Sequence, residues 1–172
     1  MRMFSIRPLA ADDLEAARRL WRATWTATYG PVVGPERAYL IEDALRDVKL
    51  RALMPPDGGR RGFCAELHGE LLGTACFAER ESVAYLWGMY VDPAHQRTGI
   101  GSALVRRVVD DIHKAEWIDL SVLTTSPGAL AFYLRLGFAR QGDREMEVFE
   151  GFRVPSIGMA AEVAALGGRA RD

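Results

Sequence analysis

Gln96-Arg97-Thr98-Gly99-Ile100-Gly101 follows an apolar run, Ala84 to Val91, and precedes an amphipathic one, so it reads as a turn between a strand and a helix. The first-turn amides of such a helix have no partners within the helix, and its N-terminal end favours negative charge. Glycines at 99 and 101 remove side chains where an anion must approach the backbone, while Arg97 adds positive charge and Thr98 a hydroxyl donor. Residue types and order together predict a pyrophosphate or similar group bound mainly by main chain.

Such a turn needs a sheet and helices to hold it. Phe4, Ile6 and Leu9 alternate with polar neighbours as a first strand stopped by Pro8. Asp12 or Asp13 can cap a helix whose inner stripe is Leu14, Ala17, Leu20, Trp21, Thr24 and Trp25. Glycine and proline between Tyr29 and Gly34 should break it, and a second helix is expected over 35–53 with Leu40, Ala44, Val48 and Arg51 inward. After the loop MPPDGGRR, strands over 62–67 and 71–78 form a hairpin about His68-Gly69-Glu70. A strand over 83–91 enters the glycine-rich turn, and a helix over 99–114 turns Ile100, Leu104, Val105, Val108 and Ile112 to the core. A strand over 118–123 follows. Ser126 caps, and Pro127 opens, a helix continuing over 129–136 that Gly137 ends in left-handed backbone. Two last strands are expected over 138–149 and 154–159. The segment 1–163 is read as a single domain, and 164–172 as a frayed tail.

Strands first, then strand and helix in alternation, predict an α+β fold with a three-layer α/β/α plan and one mixed, mostly antiparallel central sheet. The one strong crossover, from the strand at Val83 to that at Ile118, makes those two a splayed parallel pair.

Composition narrows the partners. With 22 basic and 23 acidic side chains in 172 residues the net charge is -1, which offers no broad footprint for nucleic acid, although Arg97, Arg106 and Arg107 suit one anionic ligand. Cys64 and Cys76 sit in apolar strand-like runs and read as core residues. His68, His95 and His113 lack the spacing of a metal site, so none is expected. The opening MRMFSIRPLA holds no long apolar stretch, so neither secretion nor membrane spanning is expected and the cytoplasm is the expected compartment.

A strand, then Gln96 to Gly101 opening a helix, then a strand, then Ser126-Pro127-Gly128-Ala129-Leu130-Ala131-Phe132-Tyr133-Leu134-Arg135-Leu136-Gly137-Phe138, resembles the GNAT superfamily of acetyl-coenzyme A dependent N-acetyltransferases. Gln96 to Gly101 matches its pyrophosphate signature, and Ala129 to Phe138 a second signature in which a helix carries a tyrosine and ends in Gly-Phe. A dinucleotide fold fits poorly, because the glycines follow a multistrand N-terminal half and no acidic residue ends the next strand. A Walker A loop is excluded by the lack of a following Gly-Lys-Ser/Thr.

The resemblance implies acetyl-coenzyme A as cofactor. Met89, Tyr90 and Val91 would lie along its pantetheine arm, the amides of Arg97, Thr98, Gly99, Ile100, Gly101 and Ser102 would hold its pyrophosphate, and Tyr133 would stand near its sulfur. Ser126 falls where many relatives have an asparagine that bonds the pantetheine. Trp25, Tyr29 and Trp87 are the implied wall of the acceptor site, and the last strand pair could carry a homodimer contact.

The implied reaction is direct attack of a neutral primary amine, of a small molecule or a protein end, on the thioester carbonyl. Tyr133 then gives its proton to the departing sulfur. Glu79, ahead of Glu81 and Glu66, is the candidate base. A protein that binds acyl-coenzyme A as a sensor without turnover is the alternative, and a purely structural partner a third class.

Overall fold

These periodicities become seven strands and six helices in a computed structural model, which describes residues 4–55 and 57–168. In chain order they are β1 (Ser5–Pro8), α1 (Leu14–Val33), α2 (Tyr39–Ala44), α3 (Asp47–Leu53), β2 (Arg60–Leu67), β3 (Glu70–Arg80) and β4 (Val83–Val91). Then come α4 (Ile100–Asp111), β5 (Trp117–Leu123), α5 (Pro127–Leu136), β6 (Ala139–Phe149), β7 (Phe152–Glu162) and α6 (Val163–Gly168). The sheet order is β1-β2-β3-β4-β5-β7-β6, in the expected α/β/α fold class.

The registers of β1/β2, β2/β3, β5/β7 and β6/β7 are antiparallel, and that of β4/β5 is parallel. The parallel register runs from Val83↔Trp117 to Tyr85↔Asp119, so among the described pairings only the first turn of the pleat of β4 is matched to β5. The chain forms two compact units, Met1–Ala78 with Trp87–Val108, and Glu79–Leu86 with Val109–Asp172. Trp21, Leu50, Phe77, Ile100 and Leu104 are fully buried in the first, and Ile118 and Met159 in the second.

Three local expectations are corrected. Helix α1 does not stop at Tyr29 but runs through Gly30 and Pro31 to Val33, and ends at Gly34 with φ of 77°. Tyr29 and Val33 lie one turn apart and are both buried, so packing of the stripe outweighs the hydrogen bond that Pro31 removes. The segment 35–53 is not one helix: α2 and α3 are separated at Leu45 and Arg46. Their buried residues are Ile41, Leu45 and Leu50, whereas Val48 is 82% exposed. The two short pieces thus present a different face from the one a continuous 3.6-residue period selects. Third, Ser126 precedes α5 without a side-chain cap; Pro127 at its start and Gly137 at its end, with φ of 107°, delimit that helix. At the C-terminus, Val163–Gly168 is helical, and the rest of the expected tail lies outside the described residues.

Candidate active site

Strand β4 delivers the chain to the turn, and it does so with a kink. Gly88 has φ of 57° in the middle of the strand, a conformation that favours glycine. A buried relay holds it there: Trp21 Nε1–H donates to Thr74 Oγ1 (2.9 Å), and the Thr74 hydroxyl donates to the Gly88 carbonyl (2.8 Å). Thr74 is fully buried, so each group satisfies a partner that water does not reach. Neither Gly88 nor Thr74 was singled out by sequence; an isolated glycine inside a strand pattern was the available signal. Gly73 was missed for the same reason. A Cβ there would meet Ile100 Cγ2 at 2.9 Å and the Tyr90 carbonyl at 3.0 Å, so its lack of a side chain lets the first turn of α4 sit on β3.

After β4, the Asp92 amide donates to the Leu72 carbonyl at 2.9 Å and the Asp92 carboxylate accepts from the Ala94 amide at 2.8 Å. Gln96 is extended and reaches back with its amide to the Val91 carbonyl, 3.4 Å away. Arg97 then takes φ of 61° and Gly99 φ of 89°. Two left-handed positions so close together curl the backbone and turn successive N–H groups toward a common point. Arg97 is not a glycine, and strain of this kind persists where the surroundings or a function require it. The Gly99 carbonyl accepts the first helical bond of α4, from the Ala103 amide at 3.0 Å, which leaves the amides of Ile100, Gly101 and Ser102 as first-turn donors.

The Thr98 hydroxyl does not serve as an extra donor to an anion, because it donates to the His95 carbonyl at 2.6 Å. His95 Nδ1 lies 3.1 Å from Asp92 Oδ1. The expected basic cluster also divides: Arg107 stacks over the Phe63 ring, its guanidinium carbon 4.3 Å from the centroid, while Arg97 and Arg106 are exposed.

Trp25 and Tyr29 are brought together as expected, but inside the protein. Trp21, Trp25, Tyr29 and Tyr90 pack edge to face or tilted, with centroids 5.4 Å apart for Trp21 and Tyr90 and 6.0 Å for Trp25 and Tyr90. Trp25 is 4% and Tyr29 9% exposed, so they tie α1 to β4 rather than wall an open cavity. Burial pushes both the Tyr29 and Tyr90 phenols up from their ordinary acidity, and their oxygens stand 3.3 Å apart. Trp87 is half-buried and donates its indole N–H to the Leu53 carbonyl at 3.1 Å. Met89 and Val91 are half-buried on the same strand.

In the second unit, Tyr133 is buried on α5 between Phe132 and Phe138, at centroid distances of 5.0 and 5.3 Å. The helix-ending glycine aims this ring, because the left-handed Gly137 lets the Phe138 amide return to the Tyr133 carbonyl at 3.0 Å. Ala129 lies in the first turn of the same helix.

Glu79 requires a correction. Its carboxylate accepts from the amides of His113, Lys114 and Ala115, the last two at 2.7 and 2.8 Å, and so gathers the chain where α4 ends. Oxygens committed to three backbone donors hold a turn and are poorly placed to take a proton from a substrate. Of the other carboxylates considered, Glu66 is ion-paired with Arg7 at 2.5 Å, and Glu81 lies in the turn between β3 and β4 with φ of 54°. Burial pushes the Cys64 and Cys76 thiols up to about 12, in keeping with core roles. No helix is long and apolar enough to cross a membrane, and no group of acidic, histidine or cysteine side chains suited to a metal occurs among the described residues.

A mixed sheet whose kinked central strand feeds an anion-receptive helix start defines an N-acyltransferase fold. Residues 14–138 match the acetyltransferase (GNAT) family, and the chain belongs to that family. It is 32% identical over 99 residues to an uncharacterised N-acetyltransferase of Methanocaldococcus jannaschii, a match covering 52% of this chain and 42% of that protein. To the chloroplastic GCN5-related N-acetyltransferase 1 of Arabidopsis thaliana it is 35% identical over 60 residues, covering 35% and 30%. The chain thus spans less than half the length of either relative. Among solved structures, PaiA N-acetyltransferase from Thermoplasma acidophilum in complex with coenzyme A superposes with a TM-score of 0.74, at 19% identity over 94% of this chain and 99% of that one. The ribosomal-protein-S18-alanine N-acetyltransferase from Escherichia coli gives a TM-score of 0.68, at 22% identity over 94% of each chain.

Proposed function

We propose that the chain transfers an acetyl group from acetyl-coenzyme A to a primary amine of a small molecule or of a protein end. The observation that carries this reading is the paired left-handed backbone at Arg97 and Gly99 ahead of the first-turn amides of Ile100, Gly101 and Ser102. That geometry suits a doubly charged diphosphate and little else. The pantetheine arm would then follow Met89, Tyr90 and Val91, with Ser126 and Ala129 contributing from the start of α5. Membership of the family and the coenzyme A complex of a fold relative support the cofactor, and the alanine acetyltransferase among the fold relatives supports a protein end as one acceptor class.

The neutral amine nitrogen attacks the thioester carbonyl carbon, the oxygen takes negative charge, and the carbon–sulfur bond then breaks. Tyr133 supplies the proton that the departing sulfur takes up, and the nitrogen loses its extra proton to water. With Glu79 committed to backbone amides, no carboxylate is assigned as base; acceptors with a substantial neutral fraction need none. Trp87 is the remaining aromatic candidate for the acceptor wall. The reading places the protein in the cytoplasm, acting without metal, nucleic acid or membrane; a homodimer through the last strand pair is part of the same proposal.

Incubating the protein with acetyl-coenzyme A and a panel of amines, while following free thiol and product mass, tests this. Acceptor-dependent thiol release with a mass gain of one acetyl group on the amine is expected. Firm coenzyme binding without product over a broad panel would favour the sensor reading instead.

A further inference from the structure

We propose that the cleft beside the glycine-rich turn receives the adenosine 3′-phosphate end of coenzyme A, and that Arg106 is the residue that recognises the 3′-phosphate. This rests on the coenzyme reading above.

The cleft has a volume of about 510 Å³, ample for a nucleoside, and it shares Thr98 and Gly99 with the turn. A ligand whose diphosphate sits on the turn therefore enters the cleft without crossing solvent. The floor is apolar, from Phe4, Leu67 and Leu72, which suits the flat face of a purine.

Arg106 supplies the charge. It stands seven residues after Gly99, two helical turns along the same side of α4, and helical side chains lean toward the N-terminal end, here toward the turn. Its side chain is exposed and has no ion-pair partner among the described residues, in contrast to Arg107 on the Phe63 ring. No carboxylate lines the cleft, so an anion meets no opposing charge there, and a cationic amine acceptor is repelled.

Isothermal titration of the whole protein with coenzyme A, 3′-dephospho-coenzyme A and 4′-phosphopantetheine separates the contributions. The natural chain should bind coenzyme A roughly tenfold more tightly than the dephospho form, the size of one charge-assisted contact near the surface. Arg106→Ala should abolish that preference by weakening coenzyme A alone. Leu67→Glu should weaken both adenosine-bearing ligands and leave 4′-phosphopantetheine unchanged. Equal affinity of the natural chain for coenzyme A and its dephospho form overturns the inference, as does an equal loss for both in Arg106→Ala, or a loss for 4′-phosphopantetheine in Leu67→Glu equal to that for coenzyme A. Uptake of none of the three ligands would instead remove the coenzyme reading itself, and this inference with it.

Discussion

Arg144 on β6 grips Asp119 on β5 with two parallel N–H···O contacts of 2.8 Å each, reaching across β7, the strand that separates them in the sheet. The crossing exists because Gly158 of β7 has no side chain: a Cβ there would fall on Nε and Cζ of Arg144. Three strands are thereby fastened by one side chain, and the glycine is required by an arginine rather than by its own backbone.

Gly158→Ala must push the guanidinium off Asp119, so its cost should equal that of losing the ion pair. Both side chains retain some exposure, at 36% and 21%, which keeps the pair well below the strength of a buried one. Gly158→Ala and Arg144→Ala should each lower the unfolding free energy by about 0.5–2 kcal/mol, and the double variant should cost no more than the larger single one. Urea unfolding of the set measures this, and additive losses would disprove the shared origin.

Thr74→Val conserves volume but removes the hydroxyl between Trp21 and Gly88. A buried indole N–H and a buried carbonyl then lose their partner together, at a cost of about 1–3 kcal/mol. Because that carbonyl belongs to the kink of β4, coenzyme affinity should fall as well. Thermal unfolding and calorimetry on the same sample check both, and unaltered stability would show that the relay is not holding the kink.

Tyr133→Phe keeps the ring between Phe132 and Phe138 and removes only the phenol oxygen. Coenzyme binding should persist while turnover falls by roughly ten- to a thousandfold. Steady-state rates beside a binding titration separate the two, and full turnover with chemistry limiting would remove Tyr133 from the reaction.

Gly99 has open space where a Cβ would point, but a φ of 89° that side chains rarely adopt. Gly99→Ala should cost stability by about 1 kcal/mol through that backbone conformation. Gly99→Asp adds a negative charge at the diphosphate position and should abolish coenzyme uptake. Equal coenzyme affinities for the two variants would show that charge at this position is irrelevant.

Asp13 carries a pH dependence. Arg7, at 2.8 and 2.9 Å, holds its carboxyl below the ordinary carboxylate range; burial works the other way, and the Ala10 amide adds to the lowering. A group with a lowered folded value stabilises the protein above its unfolded pKa, about 3.9, and that contribution is lost as pH falls through the folded value. Asp13→Asn should therefore be less stable near pH 7 by about 1–2 kcal/mol, with the gap closing below about pH 4. Denaturant titrations at several pH values test it; a gap constant down to pH 2 would refute the assignment.

The hairpin about Gly69, the turn at Gly99 and the end of α5 at Gly137 were legible in the chain, because each depends on rules that act within a few residues. The inward face of α2 and α3 was not, since a break at Leu45 and Arg46 resets the helical phase. Glu79 shows the same limit in the site. By its neighbours it is one more polar carboxylate, and only folding brings to it amides 34 to 36 positions away.

By itself the amino-acid order determined the element sequence, the family and the position of the phosphate turn, all of which follow from local periodicity, glycine placement and motif. The tertiary structure alone decided which side chains those elements use: Thr74 for the kink in β4, Gly158 for the reach of Arg144, an enclosed cluster for Trp25 and Tyr29, and backbone amides for Glu79. Such pairings join residues far apart in the chain, and their energies come from burial and hydrogen-bond satisfaction, which exist only once the strands and helices have packed.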